Sequence, residues 1–193
     1  MKSTFNKIKT KFKLIKANFS KRETKNIIDE NYRKNVFPYL PQYSPTNFSI
    51  NLGAAACNHS CLFCPQSITK PSNSVWLELD LLEKVLKEMP QKGILLNISA
   101  YTETLSAPNL VDAVKIMKTL RPKLPIVMAT NGSLFVEKKI KELLKLGLDH
   151  YSYSFDAPTK DSYARLMQID HFERVDENFK RLIKLRDSLS AKT

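Results

Sequence analysis

A chain of 193 residues, 42% hydrophobic and 26% charged, has the composition of one water-soluble domain and too little sequence for two independent cores. Four Gly and ten Pro exclude a collagen-like chain, and no uncharged apolar run approaches the ~18 residues that a membrane-crossing helix needs. The Lys-studded first twenty residues lack the compact apolar region and small-residue cleavage site of a signal peptide, so a cytoplasmic protein is expected.

The formal charge of +12 is unevenly placed: residues 1–34 hold eleven basic and three acidic side chains, a net of +8, and the +4 left for the remainder is ordinary. Within this arm Phe5, Ile8, Phe12 and Ile15 fall on one helical face with lysines around them. Two readings stand. The arm packs on the domain with a solvated basic face, or it contacts an anionic membrane surface, a nucleic acid such as RNA, or an acidic partner. Residues 1–46 are therefore set apart as a basic amphipathic arm and a lead-in rich in Pro and Tyr, and residues 47–193 as the core domain.

Phe48, Ile50 and Leu52 alternate as a short strand that runs into Gly53 and a loop holding all three cysteines, Cys57, Cys61 and Cys64. Leu81, Leu82, Val85, Leu86 and Met89 then repeat at helical spacing. Ile94 to Ile98 predicts a buried second strand, and Asn109 is placed to cap a helix carrying Leu110, Val114 and Met117. Ile126 to Ala129 predicts a third strand, followed by a helix marked by Val136, Ile140, Leu143 and Leu144 and ended by Gly147 at C′. Tyr151 to Phe155 predicts the fourth strand. Tyr163, Leu166 and Met167, then Phe172, Val175, Phe179, Leu182 and Ile183, form helical stripes beyond it.

Four consecutive strand-helix units imply an α/β fold with a parallel sheet, because parallel neighbours need helical crossovers. Polar residues just past the carboxyl ends of such strands meet at a common rim where ligands bind. Here the rim gathers the cysteine loop, Tyr101-Thr102-Glu103, Thr130-Asn131-Gly132, and Ser154 with Asp156.

Three cysteines within eight residues leave nothing for a disulfide framework and point to metal ligation in a reducing compartment. A closed tetrahedral zinc site wants four ligands, and the only nearby fourth is His59, cramped between two of the cysteines. Three thiolates on a four-iron cluster instead leave one iron able to take the amine and carboxylate of a small molecule. In that case His59 is a solvated loop residue.

The spacing Cys57-x3-Cys61-x2-Cys64, with Phe63 before the last cysteine, resembles the hallmark of the radical S-adenosylmethionine (radical SAM) superfamily. The likeness extends through Ser99-Ala100-Tyr101-Thr102-Glu103-Thr104-Leu105, similar to that family's Gly-Gly-Glu segment but without its glycines, then Ala129-Thr130-Asn131-Gly132 and Ser154-Phe155-Asp156. It covers residues 47–190.

This resemblance implies a partial, open-sided (β/α) barrel of four units, where family barrels commonly have six, and so a truncated core. It implies a [4Fe–4S] cluster held by Cys57, Cys61 and Cys64, with S-adenosylmethionine chelating the fourth iron. Glu103 would accept from the ligand's ammonium and Phe63 would pack on adenine. Ser154 and Asp156 would hydrogen-bond methionyl or ribose groups, with Asn131 as a weaker member of the set. The implied chemistry is reductive cleavage of S-adenosylmethionine to a 5′-deoxyadenosyl radical that abstracts hydrogen from a substrate the sequence does not name; no side chain is assigned as catalytic. The implied partners are an electron donor such as flavodoxin or ferredoxin and a second subunit completing the barrel. The alternative is a noncatalytic metal-binding or interaction remnant of such an enzyme, carrying zinc or a cluster.

Overall fold

The structure is a computed structural model that describes residues 47–90, 94–98, 102–191 and 193. The expectations for the basic arm and lead-in, and for Ser99, Ala100 and Tyr101, lie outside the described residues. In chain order the elements are β1 (Asn47–Ile50), β2 (Gly53–Ala54), β3 (Val75–Trp76), α1 (Leu79–Glu88), β4 (Leu95–Ile98) and α2 (Leu110–Leu120). They continue with β5 (Ile126–Thr130), α3 (Glu137–Lys145), β6 (His150–Tyr153), α4 (Lys160–Met167) and α5 (Phe172–Ser188). Short 3₁₀ turns occupy Pro65–Ser67 and Thr104–Ser106.

Strands β1, β4, β5 and β6 lie side by side in that order, and every pair is parallel. This is the parallel sheet that strand-helix alternation predicts and the open four-unit sheet of a partial (β/α) barrel that the resemblance implies; among the described residues it does not close. The register places Ile98 beside Ile50 and Met128, and Met128 beside Tyr151, so one face of the sheet is a continuous apolar surface. Leu96, Ile98, Ile126 and Met128 are fully buried there against Leu82, Leu86, Val114 and Met117 of α1 and α2. The opposite face carries Ser49, Asn97, Val127 and Ser152, none of them fully buried. The second strand is therefore covered on one face only. Asn97, within a run read as buried throughout, sits on the open face and donates to Asn47 Oδ1 at 2.5 Å.

Of the two helix ends read from the sequence, one follows the expected chemistry and one does not. Gly147 adopts φ +76 at C′ of α3, its N–H donates to Leu144 O at 3.1 Å, and the Leu148 N–H reaches Leu143 O at 3.2 Å. Those two bonds make a Schellman motif, closed by buried Leu143 and Leu148. Asn109 precedes α2 but does not cap it: its backbone is not extended, and its side chain instead donates to Leu77 O at 2.8 Å. The antiparallel pair β2–β3 is an addition to the predicted elements, two residues a side and too short to leave a periodic signal. It brings the chain back from the cysteine loop to the start of α1. No helix among the described residues is long and apolar enough to cross a membrane.

Candidate functional site

The cysteine loop leaves β2 and is shaped by its own backbone. Cys64 N–H donates to Cys61 O at 3.0 Å, Ser67 N–H donates to Cys64 O at 3.0 Å, and the Ser67 hydroxyl reaches both carbonyls, that of Cys61 at 2.6 Å. Residues more than a hundred positions later hold its middle: Leu62 N–H donates to Leu166 O at 2.9 Å and the Cys61 thiol lies 3.3 Å from Met167 Sδ. All three cysteines are free and partly buried, and all three line one pocket at the carboxyl ends of the strands. Burial pushes the Cys57 and Cys61 thiols up, and the charges of their sister cysteines, of Glu103 near Cys57 and of Asp156 near Cys61 add to the rise. A cationic centre reverses that balance, because it favours the thiolate outright.

Glu103 forms part of the same wall and is 2% exposed. Its Oε1 accepts from Leu105 N–H at 2.9 Å, capping the turn that follows, and from the Thr130 hydroxyl at 2.5 Å; Oε2 accepts from Asn131 N–H at 2.7 Å. Burial raises its pKa while these three donors act to lower it. An ionised carboxylate has about four acceptor sites, so Oε2 keeps one open.

Phe63 is 62% exposed beside the pocket, so its ring is not part of the core. Ser154 and Asp156 line the pocket from the end of β6, Asp156 at φ +48. Asn131 is buried, and its side chain is engaged within the protein: Nδ2 donates to Asn58 Oδ1 at 2.9 Å and Oδ1 accepts from Ser133 N–H and hydroxyl. It ties the β5 loop to the cysteine loop one residue from Cys57. All eight residues singled out from the sequence thus line a single pocket.

His59 corrects the sequence reading. A residue expected to be solvated is 4% exposed, because His171 at the start of α5 approaches its Nε2 to 3.3 Å and the Tyr163 ring packs edge-on to it. Burial, with His171 as the second cause, lowers its pKa to about 4. Met167 and His171 are the partners that sequence inspection missed, and the bond from Thr130, a residue already placed at the rim, to Glu103 is an addition. Met167 stood only as one apolar position in a helical stripe, and nothing local marks His171.

The Radical SAM superfamily is matched across residues 53–190. The chain belongs to the radical SAM superfamily. Among curated relatives, an uncharacterized protein of Methanocaldococcus jannaschii is 31% identical over 141 residues, 72% of this chain and 43% of that protein. A probable GTP 3′,8-cyclase of Saccharolobus solfataricus is 32% identical over 131 residues, 66% of this chain and 41% of that protein. In fold, this radical SAM chain is similar to Streptococcus suis SuiB bound to S-adenosylmethionine, with a TM-score of 0.64 at 16% identity over 95% of this chain and 42% of the other. The chain spans about two-fifths of the length of the curated relatives it matches.

The superfamily uses a [4Fe–4S] cluster and S-adenosylmethionine, and the residues present fit them. Soft thiolate donors suit iron–sulfur clusters, and three of them with no fourth leave an iron for an outside ligand. Among the described residues no group of three His, Cys, Asp or Glu is gathered as one metal ion requires, so the thiols face a common space rather than a common point. His59 Nδ1 and Thr102 Oγ1, on two residues that line this pocket, are buried without a partner among the described residues. Buried polar groups are normally satisfied, so these two atoms are free to take partners from a group bound in the pocket.

Proposed function

We propose that Cys57, Cys61 and Cys64 each hold one iron of a [4Fe–4S] cluster, that the amino and carboxylate groups of S-adenosylmethionine take the remaining iron, and that residues 47–193 act as a radical SAM core. When bound, these groups supply one-electron cleavage of the sulfonium, releasing a 5′-deoxyadenosyl radical for hydrogen abstraction from a substrate.

The chain's own residues orient and shield. Glu103 accepts from the ligand ammonium with its open Oε2 site, in a charge-assisted bond whose direction is set by Leu105, Thr130 and Asn131. Phe63 offers its exposed ring to adenine. Ser154 and Asp156 take methionyl or ribose groups from the far side of the pocket. Asn131 contributes by holding Asn58 and the cysteine loop in place. The open face of the sheet, with Asn97 and Ser152, is the polar surface over which the substrate sits. Superfamily chemistry generally needs a reductant, here a one-electron carrier such as flavodoxin or ferredoxin. The β6 edge, paired on one side only among the described residues, is where further polypeptide or a partner subunit extends the barrel.

The observation that carries this reading is the convergence, on one pocket, of three thiols, a buried carboxylate and an exposed aromatic ring delivered by successive strand ends. Anaerobic reconstitution with iron and sulfide, followed by reduction in the presence of S-adenosylmethionine, tests it. A brown protein that releases 5′-deoxyadenosine supports the reading. Stoichiometric zinc with neither result makes the chain a noncatalytic metal-binding remnant.

A further inference from the structure

His59 lies in the cysteine loop, two residues from Cys57 and two from Cys61, and is 4% exposed. Its ring stands edge-on to Tyr163, with centroids 6.3 Å apart at 89°, and beside His171, the residue that opens α5. Three side chains in a row fix where the ring protons are. Arg174 has donors only, and its Nη1 lies 3.4 Å from His171 Nε2, so that nitrogen is an acceptor. The His171 proton is then on Nδ1, which faces His59 Nε2 at 3.3 Å and donates to it. With Nε2 accepting, the His59 proton is on Nδ1, and that N–H is sealed from solvent without a partner among the described residues.

A buried donor left unpaired is costly, and this one belongs to a residue that shares a pocket wall with all three thiols. We propose that His59 Nδ1–H donates a hydrogen bond to an anionic sulfur, thiolate or sulfide, of the centre held by Cys57, Cys61 and Cys64, with His171 as the positioning residue that fixes the tautomer. This rests on the reading that those cysteines carry the cluster. Sulfur is the favoured acceptor because the loop is short: the ring is tethered between two of the ligands, whereas the one acceptor site that Glu103 keeps open is assigned to the ligand ammonium. A donor to cluster sulfur stabilises the more negative, reduced state and raises the reduction potential.

The test uses anaerobically reconstituted full-length chain, wild type beside His59→Asn, His59→Gln and His59→Phe. Asn carries an amide N–H near the place of Nδ1, and Gln carries one near the place of Nε2. Pulsed paramagnetic resonance of the reduced cluster in light and heavy water, without S-adenosylmethionine, reads the exchangeable proton and the nitrogen coupling; a redox titration reads the midpoint potential. The wild type is expected to show both couplings, His59→Asn to keep the exchangeable proton, and His59→Gln and His59→Phe to lose it with a potential shifted negative. His171→Leu lies outside the loop and decides the matter if a loop variant loses its iron: a weakened coupling and a negative shift are expected, and unchanged values overturn the proposal. Wild-type values in His59→Gln, or a coupling that arises only when S-adenosylmethionine is added, also overturn it while leaving the cluster reading intact. A wild-type chain that assembles no cluster removes both.

Discussion

Glu103 shows how one side chain joins structure to site. Its carboxylate caps the turn at Thr104–Ser106 and pulls the β5 loop inward through Thr130 and Asn131, so the pocket wall is built before a ligand enters. Glu103→Gln keeps the shape but turns an amide NH2 toward N–H and O–H donors. Urea unfolding is expected to show a loss of about 1–3 kcal/mol, the cost of buried groups left unsatisfied, and S-adenosylmethionine affinity to fall roughly tenfold as the charge-assisted bond is lost. Gly132 is the other sensitive residue: it sits at φ +73, and a Cβ there would lie 2.1 Å from the Tyr153 ring. Gly132→Ala is expected to destabilise by about 2–5 kcal/mol in the same assay, from backbone strain and overpacking together. At this scale the three cysteines and Glu103 were readable because spacing and strand-end position are local signals. His59 was not, since what buries it is His171, which lies 112 positions along the chain.

Between elements, one buried cation does much of the joining. Arg121 ends α2 and is 8% exposed; its guanidinium donates to Leu86 O at 2.7 Å, Met89 O at 3.2 Å and Pro90 O, satisfying carbonyls at the end of α1. Arg121→Met keeps the apolar stem and removes these donors, and a loss of about 2–4 kcal/mol is expected in denaturant titration, with cluster content unchanged. The strands and helices were legible because period-two and period-3.6 patterns are dictated by which face is buried. Gly147 was legible for a related reason, being the residue that adopts φ +76 without penalty. Asn109 was misread because a capping residue type has other uses: its Nδ2 donates to Leu77 O, its backbone is not extended, and its Oδ1 accepts from no N–H of α2. The β2–β3 pair and the open face at Asn97 depend on pairing partners, which no local window contains.

For the whole molecule, the sheet is packed against helices on one side and carries a mixed face with Ser49, Asn97, Val127 and Ser152 on the other, and the cysteine loop bridges the β2 end and the α4–α5 turn through Leu62, Met167 and His171. A cluster bound at that bridge stabilises the native state alone, so its binding free energy adds to folding. Reconstituted protein is expected to melt several degrees higher than chelated protein, with the largest gain in amide-exchange protection at Leu62 and in α4. Equal melting temperatures would place the metal away from this loop. Which substrate the chain acts on was not legible, because one fold hosts many substrates and none is fixed by strand and helix patterns. The most direct test of the central claim is the paramagnetic resonance spectrum of the dithionite-reduced, reconstituted chain before and after S-adenosylmethionine is added. A cluster signal that changes on addition, and is absent from Cys61→Ala, is the predicted result; a signal indifferent to S-adenosylmethionine, or no cluster signal at all, contradicts it.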